Sequence, residues 1–127
     1  MRMMPEPPRR CAAAPPAALT RVQIRTAIAR LKQRLRELQA FDPATINARD
    51  EPHVGVLQRA IDQALIRSCG AGTAAYRRYA AAQWLDRAGD RSGCTPSLNQ
   101  IRAGFQRGKH AAIALLEGLI TSLQSLA

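Results

Sequence analysis

The amino-acid sequence predicts an all-α fold, a small four-helix bundle-like domain with two long amphipathic helices and two shorter ones. Apolar residues recur at steps of three and four along most of the 127 residues, and this spacing places them on one side of a helix. β-Branched residues never form the alternating pattern of a half-buried strand. Aromatic residues make up only 4% of the chain, so Leu, Ile and Ala have to supply the core.

The composition divides the chain into a tail at residues 1–16 and a single helical domain at residues 17–127. The tail is rich in Pro, Ala and Arg, and we expect it to be disordered. Its prolines also interrupt the continuous apolar run that a secretory signal needs. Cys11, Cys69 and Cys94 are odd in number and have no C-x-x-C spacing, which favours a reducing cytoplasm over a disulfide framework.

A first long helix is predicted from near Ala17–Thr20 to about Phe41, because Pro43 pushes the residue before it out of the helical conformation. Its apolar residues form a coiled-coil-like seam of about two heptads. A seam this short favours an antiparallel partner within the domain over a long coiled coil. The seam residues are Ile24, Ile28, Leu31, Leu35 and Leu38.

The first helix also carries the most concentrated positive charge in the sequence. Its six basic residues accompany a single acid, Glu37. At 100° per residue, four of the six fall within a narrow sector beside the seam. These four are Arg21, Arg25, Lys32 and Arg36. A solvated helix face is the ordinary interpretation, and a face that binds phosphates or acidic groups is the alternative.

A second helix is predicted from near Pro52 to Gly70 and Gly72, since glycine is common just after the end of a helix. Thr73 is then placed to cap a third, shorter helix over roughly Ala74–Ala88.

The third predicted helix contains the sequence Tyr76-Arg77-Arg78-Tyr79. Tyrosines interleaved with arginines can stack on bases and neutralise phosphates in single-stranded nucleic acid. The i, i+3 spacing of the tyrosines is also that of a core side, from which arginines extend to solvent. We favour the core interpretation.

The last third of the chain, Thr95–Ala127, predicts one long amphipathic helix. Its start signal is Thr95-Pro96-Ser97, or Ser97 with Gln100 as a capping box. Gly104 and Gly108 interrupt its apolar stripe, and this spacing indicates either the close approach of another backbone or a break or kink near Gly108. The stripe consists of Leu98, Ile101, Phe105, Ala112, Leu116, Leu119, Leu123 and Leu126.

No set of residues predicts catalysis, a metal site or a cofactor, and we therefore expect a protein that is not an enzyme. His53, Cys69, Cys94 and His110 supply the atom types that bind Zn²⁺, but none stands at a ligand spacing. Buried or idle side chains are the better interpretation of these four. The nine acidic residues are scattered rather than paired, so general acid–base chemistry has no support.

The net charge of the chain is +10, and it comes almost entirely from 17 Arg against two Lys. Such a charge attracts nucleic acid, anionic lipid or an acidic protein at low salt. A genome rich in G and C also produces Ala- and Arg-rich proteins without a functional cause. Both explanations of the charge stay open at the level of sequence.

Residues 24–126 resemble the helical N-terminal region that precedes effector domains, including TIR-like nucleotide-binding ones, in some bacterial multidomain defence proteins. In that family a helix commonly ends in a turn that is followed by Ser or Thr and an aromatic residue. The corresponding residues here are Cys69, Gly70, Thr73 and Tyr76. We expect no effector domain after Ala127, so the resemblance implies an accessory module with a binding or assembly role, and it carries over no catalytic residue. The segments that carry the resemblance are LQAFDPATI, VGVLQRAIDQALIRSCGAGTAAYRRY and TPSLNQIRAGFQRGKHAAIALLEGLITSLQ.

Together these observations predict a cytoplasmic, non-catalytic interaction or oligomerisation module, accessory to a bacterial defence system if the resemblance holds. Its partner would be another protein or a second copy, bound by the seam of the first helix or the apolar stripe of the last. The alternative is non-specific nucleic-acid binding through Arg21, Arg25, Lys32, Arg36, Arg77 and Arg78. A membrane partner is not favoured, because the first helix lacks the aromatic residues of interfacial helices.

Overall fold

The computed structural model describes residues 19–88 and 96–126, and the predicted tail at residues 1–16 lies outside these ranges. No strand occurs within them, so the predicted all-α fold is confirmed. None of the helices in them is both long and apolar enough to cross a membrane. The α-helices are α1 (Arg21–Ala40), α2 (Pro52–Cys69), α3 (Ala74–Tyr79) and α4 (Leu98–Gln124), with 3-10 turns at Pro43–Thr45 and Ala80–Gln83.

The same device begins α1 and α4. The side chain of Thr20 accepts a hydrogen bond from the backbone N–H of Gln23, and the Gln23 side chain accepts one from the backbone N–H of Thr20. Ser97 and Gln100 form the matching pair at the start of α4. Each pair satisfies two backbone N–H groups that have no partner inside the helix. The predicted starts of both helices are therefore confirmed to within a few residues.

The first two helices form an antiparallel pair. The ring of Phe41, at the end of α1, lies 6.2 Å from the ring of His53 at the start of α2. Thr26 and Arg67, at the other ends of the two helices, line a common groove. Gly70 and Gly72 then turn the chain with φ angles of 88° and 74°, in the left-handed region that favours glycine.

The remaining elements enclose a single core. α4 packs along α1, while α3 and the turn after it fill the space between α2 and α4. The core is aliphatic with one large aromatic residue at its centre, as the composition predicts. Its fully buried large side chains are Leu31, Leu38, Ile46, Ile61, Leu65, Leu85, Phe105, Leu116, Leu119 and Leu123.

The two glycines of α4 allow another backbone to approach closely. A Cβ atom added at Gly108 would overlap the backbone carbonyl of Leu85, and one added at Gly104 would overlap the backbone nitrogen of Ala88. α4 itself runs without a break from Leu98 to Gln124. Of the two interpretations that the spacing left open, close approach is therefore confirmed and a break near Gly108 is excluded.

The prediction that the third helix extends to Ala88 is wrong. The α-helix ends at Tyr79, one 3-10 turn follows to Gln83, and residues 84–88 have no regular secondary structure. Residues 84–88 include the segment that packs against Gly104 and Gly108. Tertiary contact with α4 therefore overrides the helix-favouring composition of this stretch.

Candidate polyanion-binding surface

Four cations on the outer side of α1 form one surface, hereafter the basic stripe. Its members are Arg21, Arg25, Lys32 and Arg36, and all four are exposed. The apolar seam of α1 packs against the core, which fixes how the helix is rotated about its axis. The four cations beside the seam therefore lie together on the exposed side. At 1.5 Å per residue, the stripe runs for about 22 Å along the helix axis.

The basic stripe has no acidic partner among the residues that the structure describes. Arg36 donates a hydrogen bond to Oε1 of Gln33, and Arg21, Arg25 and Lys32 make no side-chain contact with a polar partner in residues 19–88 and 96–126. The stripe is therefore an uncompensated line of positive charge. The ion pairs formed elsewhere in these ranges join Arg34 to Glu37 and Arg49 to Asp86, and Nδ1 of His53 lies 3.8 Å from Oε2 of Glu51.

The cations of α4 are used differently, because each of three donates to a backbone carbonyl in another part of the chain. Arg102 reaches the carbonyl of Ile46 at 2.8 Å, and Arg107 reaches that of Arg87 at 2.9 Å. The Nζ atom of Lys109 lies 2.7 Å from the carbonyl oxygen of Phe41, and a second bond reaches the carbonyl of Gln39, in the last turn of α1. These three charges hold the α1–α2 connection and the 84–88 segment against α4.

The tyrosines of α3 face inward, as the core interpretation predicts. Tyr79 is buried, and the hydroxyl of Tyr76 donates to Oδ1 of Asp62. This hydrogen bond raises the pKa of Tyr76 above its ordinary value, because ionisation would remove the donated proton. Tyr76 is half-buried and packs against the same core as Tyr79, so both rings contribute to packing within the domain.

Arg77 and Arg78 are exposed and lie on α3 rather than on the helix that carries the basic stripe. α3 packs mainly against α2, the following turn and α4. Arg77 donates to the carbonyl of Gly72 at 2.7 Å, and the guanidinium of Arg78 lies 5.8 Å from the centre of the Tyr79 ring. Two of the six cations predicted as a nucleic-acid surface are therefore on α3, where they contact Gly72 and Tyr79, and the other four are on α1.

The apolar seam of α1 serves the core of its own domain. Ile24, Leu31 and Leu38 are buried, while Ile28 and Leu35 are half-buried and pack against the same core. The stripe of α4 is likewise buried along most of its length, with Leu98 and Leu126 exposed at its two ends. The packing of the described residues leaves neither apolar surface largely free.

Among the residues that the structure describes, no group of three or more His, Cys, Asp or Glu side chains could hold a metal ion. His53 and Cys69 are at opposite ends of α2, about 24 Å apart at 1.5 Å per residue. Burial raises the pKa of the Cys69 thiol to about 11, which leaves it a poor nucleophile near neutral pH. His110 is exposed on α4, where Nε2 contacts the side-chain amide of Gln106, and Cys94 lies outside the described residues.

Two features were missed by sequence reasoning. Arg30 and Arg34 lie on the other side of the seam from the basic stripe, where they share a groove with Arg67 of α2. The i, i+4 spacing of Arg30 and Arg34 is a usable signal, but the approach of Arg67 depends on how the helices pack. The second missed feature is Trp84, which is 60% exposed. The residues around it in the sequence do not predict this exposure.

No protein-family model, curated protein or solved structure matches this chain. The assignment of function therefore depends on the geometry of the described residues.

Proposed function

We propose that this chain is a cytoplasmic, non-catalytic binding module that holds a nucleic-acid backbone against the basic stripe without reading base sequence. The observation that carries the proposal is the contrast in how the cations are engaged. Arg21, Arg25 and Lys32 have no polar partner among the described residues, whereas the corresponding cations of α4 donate to backbone carbonyls.

The dimensions of the basic stripe suit a polyanion. Duplex DNA carries about one negative charge per 1.7 Å of its axis, so a 22 Å stripe (about 15 residues of helix) lies opposite many more phosphates than it has cations. Each of the four cations can then neutralise one phosphate and release the counterions condensed there. Because the basic stripe consists of Arg and Lys and contains no aromatic residue that could stack on a base, binding should not depend on base identity.

The expectation of assembly through the α1 seam has less support than the basic stripe. Three of its five residues are buried inside the domain, and a surface that fills its own core is not available to a partner. The resemblance to accessory regions of bacterial defence proteins stays a prediction. A role in binding without catalysis agrees with it.

The test is the salt dependence of affinity for a mixed-sequence 20-base-pair duplex, measured by fluorescence anisotropy. Four phosphate contacts give a slope of about −3.6 in log affinity against log salt, so affinity should fall about 150-fold between 50 and 200 mM. Removing two stripe charges with Arg21→Gln and Arg25→Gln should halve this slope.

The matched control removes two exposed charges from α3 instead, with Arg77→Gln and Arg78→Gln. It should leave the slope near −3.6. An equal reduction in both double variants would show that the charge acts diffusely and that the basic stripe is not the site. A salt-insensitive affinity would overturn the proposal altogether.

A second candidate function is a protein–protein contact through Trp84. This side chain is 60% exposed, and tryptophan is among the residues that contribute most to protein interfaces. We expect Trp84→Ser to reduce the mass measured by light scattering if the chain associates with itself. Val22→Ser is the control, because Val22 is 68% exposed and lies at the start of α1. An identical monomeric mass for all three proteins would exclude self-association through Trp84.

A further inference from the structure

The groove between α1 and α2 is distinct from the basic stripe. It has a volume of about 610 Å³, within the range of small-molecule sites. The space between the two helices is left open because Ala29, Ala60 and Ala64, which line the groove, have only methyl side chains. The groove therefore has room for a ligand beside the helix backbones.

Three guanidinium groups line this groove: those of Arg30, Arg34 and Arg67. Arg30 and Arg67 are exposed and have no polar partner among the described residues. Arg34 pairs with Glu37 at 2.9 Å. The carboxylate of Glu37 offsets one of the three positive charges, so the groove keeps a net charge of two from its arginines.

Arg34 supplies a second, independent observation. Its Nε–H is enclosed by the protein and has no hydrogen-bond acceptor. Buried donors are almost always satisfied, and an exception commonly marks the place of a water or an ion. The exception here belongs to a residue that lines the groove.

We propose that the α1–α2 groove binds a phosphate monoester, held by Arg30, Arg34 and Arg67. Planar guanidinium groups match the oxygen geometry of phosphate and donate two hydrogen bonds at once. A monoester carries a charge of about −1.5 to −2 near neutral pH, which balances the two uncompensated arginines. A backbone diester carries only one charge and leaves one of them unbalanced.

The monoester can come from a small phosphorylated molecule or from the terminal phosphate of a nucleic-acid strand. Both sources present the same dianion to the same three side chains. The side-chain amide of Gln63 also lines the groove and can bind whatever the phosphate is attached to. The hydroxyl of Thr26 lines it too, but it donates to the carbonyl of Val22 and can only accept a hydrogen bond from a ligand. The inference does not depend on the basic stripe, which lies on the other side of the α1 seam.

The first experiment titrates the full chain with inorganic phosphate and with adenosine 5′-monophosphate by calorimetry, at constant ionic strength. We expect saturable binding of one phosphate per chain and at least tenfold weaker binding in Arg30→Gln/Arg67→Gln. Arg21→Gln/Arg25→Gln removes two charges from the same helix on its other side, and it should bind within twofold of the unaltered chain. Thermal unfolding of both double variants checks that the fold is retained.

The second experiment distinguishes the source of the monoester in the Arg21→Gln/Arg25→Gln background, where the basic stripe is weakened. A single strand with a 5′-phosphate that binds at least tenfold tighter than the same strand with a 5′-hydroxyl identifies the strand end. Adenosine 5′-monophosphate that binds at least tenfold tighter than either strand identifies a small molecule. The proposal is overturned if neither phosphate nor the monophosphate binds saturably, or if both double variants lose phosphate binding equally.

Discussion

The two long helices have similar construction and use their positive charges in opposite ways. Both begin with a capping box and bury one apolar side. The cations of α4 donate to carbonyls of distant segments, whereas most of those on α1 have no polar partner among the described residues. The difference shows that a count of basic residues does not identify a binding surface. The availability of each cation has to be established from its contacts.

The largest expected effect concerns the close packing of Gly108 in α4 against the backbone of Leu85. Gly108→Ala adds one methyl group, which would overlap the backbone carbonyl of Leu85. Because neither backbone can move without disturbing the core, we expect a loss of about 3 kcal/mol in the free energy of unfolding. Urea denaturation followed by circular dichroism measures it.

Gly118→Ala is the control in the same helix. A Cβ atom at Gly118 meets no atom within 4 Å, so this change should stabilise the helix by up to about 1 kcal/mol. Equal effects of the two substitutions would show that the close approach to residues 84–88 does not stabilise the domain.

A comparison of the two lysines of the chain tests the contrast directly. Lys109→Met removes the donor to the carbonyls of Gln39 and Phe41. A hydrogen bond from a charged group contributes about 1.5 kcal/mol or more, and we expect a loss of this order in urea denaturation. Lys32→Met removes an exposed cation without a described partner and should change stability by less than about 0.5 kcal/mol. Similar losses would contradict the division of roles between α1 and α4.

The smallest expected effect on stability lies on the basic stripe. Arg25→Gln should leave the free energy of unfolding within about 0.5 kcal/mol of the unaltered chain. It should reduce the magnitude of the salt slope for duplex DNA by about 0.9, because one phosphate contact is lost. Anisotropy titrations at four salt concentrations measure the slope. An unchanged slope would show that Arg25 does not contact a phosphate of the bound DNA.

Local signals in the sequence predicted most of the fold. The capping pair of Ser97 and Gln100, the glycines after Cys69 and the apolar spacing of α1 each act within a few residues, and the structure confirms them. The end of α3 could not be predicted in this way. Residues 84–88 leave the helix because they pack on glycines about twenty positions away in α4.

The candidate surfaces show the same limit. The angular position of the basic stripe follows from helix geometry, so its four members could be named from sequence, and the structure shows them exposed. The groove with Arg30, Arg34 and Arg67 requires two helices to be placed side by side. Arg77 and Arg78, included in the predicted surface because of their neighbours in sequence, lie on a helix that packs mainly against α2 and α4.

The glycine contact of α4 also has a mechanical consequence. Turning α4 by one residue about its axis would move Gly108 away and bring Arg107 or Lys109 towards the backbone of Leu85, where even a methyl group does not fit. α4 and residues 84–88 are thereby locked in register and should move as one rigid unit. Any rearrangement that accompanies ligand binding must then leave this contact in place.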